Sequence, residues 1–220
     1  MSTVVAALAA CTVWGQPGPT VHADDFRGQL TQWVTEYKAS PVSRIATGNG
    51  KLVIDTDAGA TVWFGRPLAG DYQVSFTRTV PIGGGKNDRL SDFNMFWMAR
   101  DPANPASLFT RDGTFEQYDG LRLYYAGIGG NTNTTTRFRR YGGNGQRELL
   151  VEYTDPAHLL TANHTYAVQI AVYRGCTRVV VDGETVFSYR DPAPLTDGYF
   201  GFRTTWSRQE IGAFRVQRLQ

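Results

Sequence analysis

Residues 119–141 read DGLRLYYAGIGGNTNTTTRFRRY, two alternating runs around a turn rich in glycine, asparagine and threonine. This pattern predicts two antiparallel strands joined by a tight connection. Because successive side chains of a strand point to opposite faces, Arg122 and Tyr124 share a face of the first strand. Arg137 and Arg139 share a face of the second strand for the same reason. We therefore predict a strand pair with one buried face and one face that presents arginine and tyrosine to an anionic ligand.

Alternating runs between short turns continue over most of the chain. Residues 90–100 read LSDFNMFWMAR, which places Asp92 and Asn94 on one face and apolar side chains on the other. Asp182 and Gly183 separate two apolar runs, which is a strong hairpin signal. We find no convincing helix longer than a turn or two and no fixed-period repeat. The sequence thus predicts an all-β fold, a two-sheet antiparallel jelly-roll sandwich that forms a single domain.

The composition disfavours several classes of protein. The chain has 220 residues, a formal net charge of +2 and no lysine-rich run, so nucleic acid is not an expected partner. Its two cysteines and three histidines do not have the spacing of a metal site, and we expect no cofactor and no metal. A Ser-His-Asp triad is disfavoured because His158 and His164 fall in a turn and at a strand entry, and His22 precedes the predicted domain.

The N-terminal residues resemble an export signal. The apolar run TVVAALAACTVW precedes the small-residue pattern TVHA, which ends just before Asp24. We predict a leader over residues 1–23, a jelly-roll domain over residues 24–220, and a secreted or periplasmic location. The run around Cys11 also resembles a lipoprotein processing box, which would anchor the protein by a lipid at that cysteine. A removed leader would leave Cys176 alone, so no disulfide is expected, and no stretch is long and apolar enough to span a membrane.

Three segments carry a resemblance to a known superfamily. They are DDFRGQLTQW (24–33), SDFNMFWMARDP (91–102) and VDGETVFSYRDPAPLTDGYFGFRTTW (181–206). These segments resemble the concanavalin A-like jelly-roll superfamily and, more narrowly, bacterial proteins of unknown function associated with plant-glycan degradation. The resemblance implies a two-sheet jelly roll whose concave sheet holds a glycan. Since the superfamily contains lectins, glycoside hydrolases and polysaccharide lyases, the resemblance does not choose among these functions.

Our first functional hypothesis is a polysaccharide lyase that cleaves an acidic, uronate-containing polysaccharide by β-elimination. Removing the proton at C5 requires a neutralised carboxylate and a base, and arginine, asparagine and tyrosine can supply these. We assign Arg122, Arg137 and Asn94 to neutralisation of the uronate. Tyr124 is the predicted base or acid, with its pKa lowered by nearby guanidinium groups. A one-residue slip in register would exchange Tyr124 for Tyr125.

Four further residues are predicted to bind the glycan, the last of them by stacking on a sugar ring: Asp92, Arg139, Arg203 and Trp206. Two other functions stay open. One is a non-catalytic glycan-binding module that uses the same face. The other is a glycoside hydrolase in which Asp92 pairs with Glu116, Glu148 or Glu152. The arginines can also be no more than the solvated face of an antiparallel sheet.

A structural calcium ion is a minor alternative, with Asp24, Asp25 and Asp57 as its candidate ligands. Scattered aspartates more often occupy turns, and we do not assign the ion. The expected partner is a polysaccharide or oligosaccharide, and we expect the protein to be a monomer.

Overall fold

The computed structural model describes residue 11 and residues 14–220, and β-strands dominate this part of the chain. The strands are β1 (Pro17–Asp24), β2 (Trp33–Tyr37), β3 (Arg44–Gly48), β4 (Lys51–Thr56), β5 (Ala60–Phe64), β6 (Leu68–Ala69), β7 (Tyr72–Thr79), β8 (Phe93–Arg100), β9 (Arg122–Gly129), β10 (Thr135–Gly142), β11 (Arg147–Tyr153), β12 (Thr165–Tyr173), β13 (Cys176–Val181), β14 (Glu184–Arg190), β15 (Asp197–Thr204) and β16 (Ser207–Leu219). Short helical turns occur at Phe115–Tyr118, Gly130–Asn133 and Pro156–His158. Within the described residues, no helix is long and apolar enough to cross a membrane.

The strands form two antiparallel sheets. Sheet 1 has the order β14-β13-β12-β7-β16-β4-β3, and β1 pairs with β16. Sheet 2 has the order β11-β10-β9-β8-β15-β5-β2, and β6 pairs with β15. Strands β9 and β10, the pair predicted from residues 119–141, are neighbours in sheet 2. The predicted two-sheet jelly-roll sandwich is confirmed.

Aromatic residues from both sheets fill the space between them. Trp97 of β8 stacks on Phe138 of β10, with ring centroids 5.8 Å apart. Trp33 of β2 meets Phe214 of β16 edge-on, with centroids 4.8 Å apart. All four side chains are buried. Because each large ring removes roughly 150–250 Å² of surface from water, this layer contributes a large share of the hydrophobic stabilisation.

One arginine crosses this apolar layer. Arg78 of β7 is fully buried, and its Nε donates to Gln209 Oε1 at 2.8 Å. Its Nη1 and Nη2 donate to the backbone carbonyls of Asn94 (2.9 Å) and Arg203 (3.0 Å). Burial lowers the pKa of Arg78 to about 9, although the charge of Asp92 acts in the opposite sense. The guanidinium therefore fixes the backbone of β8 and β15 at Asn94 and Arg203. Both of these residues are predicted site residues.

A disulfide joins the N-terminal segment to sheet 1. Cys11 is bonded to Cys176 at the start of β13, with Cα atoms 6.1 Å apart, so the expectation of no disulfide is wrong. That expectation assumed a removed residue 11, whereas the structure packs the neighbouring Trp14 over the guanidinium of Arg178 at 4.3 Å. A disulfide is consistent with an extracellular location. The boundary of the leader stays a prediction, while residues 17–24 form β1 beside β16. A lipid at Cys11 also stays a prediction, and it would use the same sulfur atom as the disulfide, so the two exclude each other.

The loop of residues 101–121 covers part of the outer face of sheet 2. Its Leu108 and Tyr118 pack with Trp63 of β5 and Phe96 of β8, whose side chains point away from the layer between the sheets. This outer cluster is as deeply buried as the inner layer. Sheet 2 therefore buries large apolar side chains on both faces where the loop covers it.

Glu36 of β2 anchors the loop. Its carboxylate accepts hydrogen bonds from Trp63 Nε1 at 2.7 Å, Tyr118 Oη at 2.9 Å and the backbone N–H of Arg111 at 2.7 Å. Arg111 also pairs with Asp101 at the start of the loop. Because three donors converge on one buried carboxylate, its negative charge is compensated without exposure to water.

Candidate functional site

Beside the loop, the outer face of sheet 2 opens into a cleft of about 540 Å³. Strands β8, β9 and β10 form the floor of this cleft. Its walls come from the loop 101–121, the loop before β8 and the turn after β9. The lining residues are Arg89, Asp92, Asn94, Phe115, Tyr125, Gly127, Gly130, Asn131, Thr135, Arg137, Arg139, Arg147 and Thr205.

The strand register aligns residues that are distant in the chain into two rows. One row crosses β10, β9, β8 and β15 and consists of Arg137, Gly127, Asn94 and Arg203. The adjacent row crosses β10, β9 and β8 and consists of Arg139, Tyr125 and Phe96. Residues two apart on a strand share a face, so the alternation in the sequence selects which side chains enter each row. The register of the strand pairing then decides which residues of neighbouring strands lie side by side in one row.

A chain of hydrogen bonds runs along the floor. Tyr125 Oη donates to Asn94 Oδ1 at 2.9 Å, and Asn94 Nδ2 donates to Asp92 Oδ2 at 2.6 Å. Thr205 donates to Asp92 through its backbone N–H at 3.2 Å and its hydroxyl at 3.0 Å. Gly127 permits the first of these bonds, because a Cβ there would lie 2.1 Å from Tyr125 Oη. The phenol therefore lies across a point of β9 that has no side chain.

Burial raises the pKa of Tyr125 above its ordinary value, and Tyr141 and Asp92 act in the same sense. The charges of Arg203 and Arg139 lower this pKa, but burial outweighs them. The phenol is therefore protonated at neutral pH and acts as a hydrogen-bond donor. The expectation of a site tyrosine with a pKa below its ordinary value is wrong, because burial outweighs the guanidinium groups at Tyr125 and at the predicted Tyr124 alike.

Positive side chains outnumber negative ones in the cleft. Arg89, Arg137, Arg139 and Arg147 all line it. In the part of the chain that the structure describes, Asp92 is the one carboxylate in the lining, and it already accepts the hydrogen bonds of the floor. The cleft is therefore a local positive surface on a protein of nearly balanced charge.

The arginines differ in how far their charge is compensated. Arg137 pairs with Glu152 on β11, and Arg147 pairs with Asp119 at 3.3 Å. Arg139 Nη1 donates to the backbone carbonyl of Arg147 at 3.1 Å, and no carboxylate among the described residues pairs with Arg139. Because a guanidinium carries five N–H donors, Arg139 keeps both an unpaired charge and free donors for a ligand.

The turn after β9 forms one wall in a strained conformation. Asn131, Thr132 and Asn133 have φ of 51°, 59° and 59°, and a β-branched threonine is disfavoured in this region. Asn133 fixes the turn by exchanging two hydrogen bonds with the backbone of Leu160 at 2.8 and 2.9 Å. At the foot of the wall, Thr135 Oγ1 is buried and has no hydrogen-bond partner among the described residues. Strain and an unsatisfied hydroxyl beside one cleft are features that concentrate at ligand sites.

Tyr124 lies on the opposite face of the sheet. Its ring packs against Trp97 and Phe138 between the sheets, and its hydroxyl donates to Asp191 at 2.6 Å. Burial, together with the hydrogen bond to Asp191, raises the pKa of this phenol. The prediction that Tyr124 shares the arginine face is therefore wrong, and Tyr125, named by the alternative register, lines the cleft instead. The alternation alone did not separate the two faces, because the loop 101–121 makes the outer face apolar too.

The other predicted site residues divide into two groups. Those that line the cleft are Asn94, Arg137, Asp92 and Arg139. Arg122 is exposed at the start of β9 and lines a different, shallow groove with Arg100 and Pro102, so its predicted place beside Arg137 is wrong. Arg122 is three residues from Tyr125 and five from Gly127 on the same strand, and odd spacings place side chains on opposite faces.

Arg203 and Trp206 lie at the border of the cleft. Arg203 is fully buried beneath the loop 101–121 and is absent from the cleft lining. Trp206 is 44% exposed, follows Thr205 at the end of the cleft, and has the guanidinium of Arg89 over its ring at 5.4 Å. One face of the predicted stacking residue thus already carries a cation.

Loops supply the lining residues that the sequence did not point to. Arg89 comes from the glycine-rich loop before β8, Phe115 from the loop 101–121, and Arg147 and Thr205 from positions next to turns. The long loop after β8 was recognisable in the sequence as one that can border a site. Which of its side chains face the cleft depends on packing, and no local pattern encodes it.

The described histidines lie outside the cleft lining. His158 and His164 each pair with an aspartate elsewhere on the surface. Among the described residues, no three side chains of His, Cys, Asp or Glu are grouped as a metal site. Asp57, one of the candidate calcium ligands, accepts hydrogen bonds from Ser40 at 2.9 Å and Ser43 at 2.6 Å.

Solved structures share this fold at low sequence identity. A protein of unknown function with a galectin-like fold from Bacillus subtilis has a TM-score of 0.74 at 17% identity, covering 93% of this chain and 98% of that one. The carbohydrate-binding module CBM66 from Bacillus subtilis has a TM-score of 0.60 at 14% identity, covering 85% and 96%. SCLam, a non-specific endo-β-1,3(4)-glucanase from family GH16, has a TM-score of 0.61 at 11% identity, covering 96% and 97%. The resemblance to the concanavalin A-like jelly-roll fold is confirmed.

No curated protein matches the chain. Residues 54–214 match a family described as a domain of unknown function, DUF6250. The matched segment begins within β4, ends within β16 and includes every residue that lines the cleft. It spans nearly three quarters of the sequence, and the chain therefore belongs to the DUF6250 family.

Proposed function

We propose that the cleft binds an acidic polysaccharide or oligosaccharide through its arginines. The observation that carries this proposal is the charge of the lining, four guanidinium groups around one carboxylate that is already hydrogen-bonded. The planar fork of arginine matches a carboxylate with two parallel hydrogen bonds. Arg139, which has no carboxylate partner among the described residues, is the first candidate to hold the uronate group.

Further features favour a glycan over a small anion. The hydroxyls of Tyr125 and Thr135 lie beside the arginines and suit the hydroxyl groups of a sugar. A cleft of about 540 Å³ is of the size that holds an organic ligand. The names of two proteins with the same fold, a carbohydrate-binding module and a glucanase, support a carbohydrate. The disulfide between Cys11 and Cys176 supports export of the protein from the cytosol to a compartment in which such glycans occur.

Calorimetric titration with polygalacturonate and alginate tests this function, with a neutral β-glucan for contrast. The wild-type protein is expected to bind the acidic glycans and to bind the neutral one at least tenfold more weakly. Arg139→Gln should weaken the acidic interaction tenfold or more, because a charged hydrogen bond contributes about 1.5–3 kcal/mol. The matched control is Arg44→Gln, which removes an exposed arginine from β3 of the other sheet. Equal losses in both variants, or equal affinity for the neutral glycan, would contradict the proposal.

A second candidate is β-elimination of the bound uronate, and the pair of Tyr125 and Asn94 favours it. Arg137, Arg139 and the Asn94 amide are grouped where a carboxylate would be neutralised, and the Tyr125 phenol lies within the same floor. A protonated phenol suits transfer of a proton to the departing glycosidic oxygen. For the proton to balance through this residue, the ionised Tyr125 takes the proton from C5, the C4–O bond breaks as the C4=C5 double bond forms, and the same proton passes to the leaving oxygen. The raised pKa makes the ionised phenol scarce and so disfavours the first of these steps.

Tyr125→Phe and Tyr124→Phe form a matched pair that tests elimination. Wild-type protein incubated with the uronate glycans would release a product with an ultraviolet-absorbing double bond. Tyr125→Phe should abolish this release while glycan affinity changes only a few-fold, because the substitution removes the hydroxyl and keeps the ring. Tyr124→Phe should retain turnover, since that phenol lies between the sheets. If wild-type protein binds the glycans and forms no product, the cleft belongs to a non-catalytic binding module.

The hydrolase alternative has less support. Glycoside hydrolases use two carboxylates, about 5–9.5 Å apart depending on mechanism. Asp92 lines the cleft, whereas Glu116, Glu148 and Glu152 are absent from its lining, and Glu152 is paired with Arg137. New reducing ends without an unsaturated product would nevertheless identify a hydrolase in the same assay.

A further inference from the structure

Arg203 is fully buried, yet three of its five N–H donors are unused. Its Nη1 donates to Thr61 Oγ1 and to the carbonyl of Gly113, both at 3.0 Å. Its Nε and Nη2 have no hydrogen-bond partner among the described residues. A buried donor without a partner costs about 1–3 kcal/mol, and more on a charged group. This arrangement therefore calls for a physical reason.

The two unsatisfied nitrogens form one edge of the guanidinium. Nε–H and Nη2–H point in the same direction, and this edge binds a carboxylate side-on with two hydrogen bonds. Arg100 in this protein uses the same edge to bind Asp197. The rings of Phe115 and Tyr118 each lie 4.7 Å from the Arg203 guanidinium carbon. Stacking and the two bonds of Nη1 thus hold the open edge in a fixed orientation before any ligand arrives.

A groove of about 310 Å³ leads from the surface to Arg203, and we name it the side groove. Lys38 and Gly59 line it, and only a glycine fits at position 59, because a Cβ there would lie 2.0 Å from the carbonyl oxygen of Gly113 and 3.1 Å from Arg203 Nη2. Phe115 and Thr205 line both the side groove and the cleft. The side groove is therefore a continuation of the cleft past the Phe115 ring.

The carboxylates of the chain itself are engaged or face elsewhere. In the side groove, Asp112 pairs with Lys38 at 3.4 Å, and Glu116 is exposed to solvent. Residues 1–10, 12 and 13, which lie outside the described part of the chain, include no aspartate or glutamate. No carboxylate of this sequence therefore serves the open edge of Arg203. Because the edge has no exposed surface in this structure, a carboxylate from another molecule reaches it when the loop 101–121 shifts.

We propose that Arg203 is a second carboxylate subsite, and that the ligand is an oligomer with carboxylates on at least two of its sugar units. This inference rests on the proposed function of the cleft. Arg137 and Arg203 belong to one row across four neighbouring strands. Three strand spacings of about 4.8 Å separate them by about 14 Å, which is longer than one sugar ring. A polyuronate chain spans this distance, whereas a glycan with a single terminal acid reaches only one of the two arginines.

Oligogalacturonates of one to six units test this subsite by calorimetric titration. The affinity of the wild-type protein should rise tenfold or more at the length that first reaches both arginines. Arg203→Met, which keeps a long apolar side chain between the rings, should lose that rise and bind the short oligomers as the wild type does. Arg139→Gln should weaken binding at every length. A flat dependence on length, or an Arg203→Met variant that binds the hexamer like the wild type, would overturn the proposal.

A spectrum of the wild-type protein covers the case in which Arg203→Met does not fold. The ¹H–¹⁵N signal of the Arg203 Nε–H should shift with the hexamer and stay in place with the monomer. A bound hexamer that leaves this signal unchanged overturns the subsite and leaves the proposed function intact. If the wild type binds no oligogalacturonate and no other uronate glycan, the proposed function fails, and the subsite fails with it.

Discussion

The outer face of sheet 2 has two halves that use the same strand alternation for different purposes. Over β2, β5 and β15, the loop 101–121 seals the face, and the buried carboxylate of Glu36 receives three hydrogen bonds from the protein. Beside the loop, the parts of β8, β9 and β10 that form the cleft floor are open, and in the described part of the chain the arginines of the lining outnumber its one carboxylate. The sealed half satisfies its charges internally. The open half leaves donors for another molecule, and Arg203 lies at the border between the two.

The largest expected effect follows from removing the Glu36 carboxylate, which holds the loop 101–121 on the covered half. Glu36→Ala leaves three buried donors without an acceptor, and we expect the free energy of unfolding to fall by about 3 kcal/mol or more. Urea denaturation measures this change. Glu184→Ala, at an exposed position of β14, is the control and should alter the free energy by less than 0.5 kcal/mol, about the limit for surface sites. A loss below about 1 kcal/mol for Glu36→Ala would show that the loop is held mainly by its apolar contacts.

A smaller effect is expected from closing the gap in the floor of the open half. In Gly127→Ala the new Cβ would collide with Tyr125 Oη, so the phenol must leave Asn94. We expect a destabilisation of about 1–3 kcal/mol, together with weaker glycan binding. Gly48→Ala is the matched control, because a Cβ at that strand glycine meets nothing within 4 Å. If Gly127→Ala keeps wild-type affinity, the pair of Tyr125 and Asn94 is not part of the binding surface.

The smallest expected effect concerns the free energy of unfolding at low pH. Burial would raise the pKa of Asp101, but the hydrogen bond and charge of Arg111 outweigh it and hold the pKa below the ordinary value of 3.8. A lowered pKa in the folded state stabilises the protein above the unfolded pKa, and this contribution is lost as the pH falls through the folded value. The free energy of unfolding should therefore drop below about pH 4, and less steeply for Asp101→Asn than for the wild type. Parallel curves for the two proteins between pH 5 and pH 2 would contradict this assignment.

Much of the open half was predictable from local pattern. Arg137, Arg139, Asn94 and Asp92 were all selected by alternation on two strands, and all four line the cleft. Alternation is encoded within a few residues, because each peptide unit of a strand turns its side chain to the opposite face. The predicted tyrosine was wrong by one position for a different reason. Two consecutive tyrosines suit two apolar faces equally well, and the pattern contains nothing that says which face the loop covers.

Local alternation and turn chemistry encode the all-β sandwich, the strand pair at residues 119–141 and the arginines on β10. Three features appear only in the folded chain: Cys11 is bonded to Cys176, Tyr125 rather than Tyr124 lines the cleft, and Arg203 keeps an open edge beneath Phe115. These features depend on contacts between segments far apart in the chain. Register and loop packing set such contacts, and no short stretch of sequence encodes either one alone.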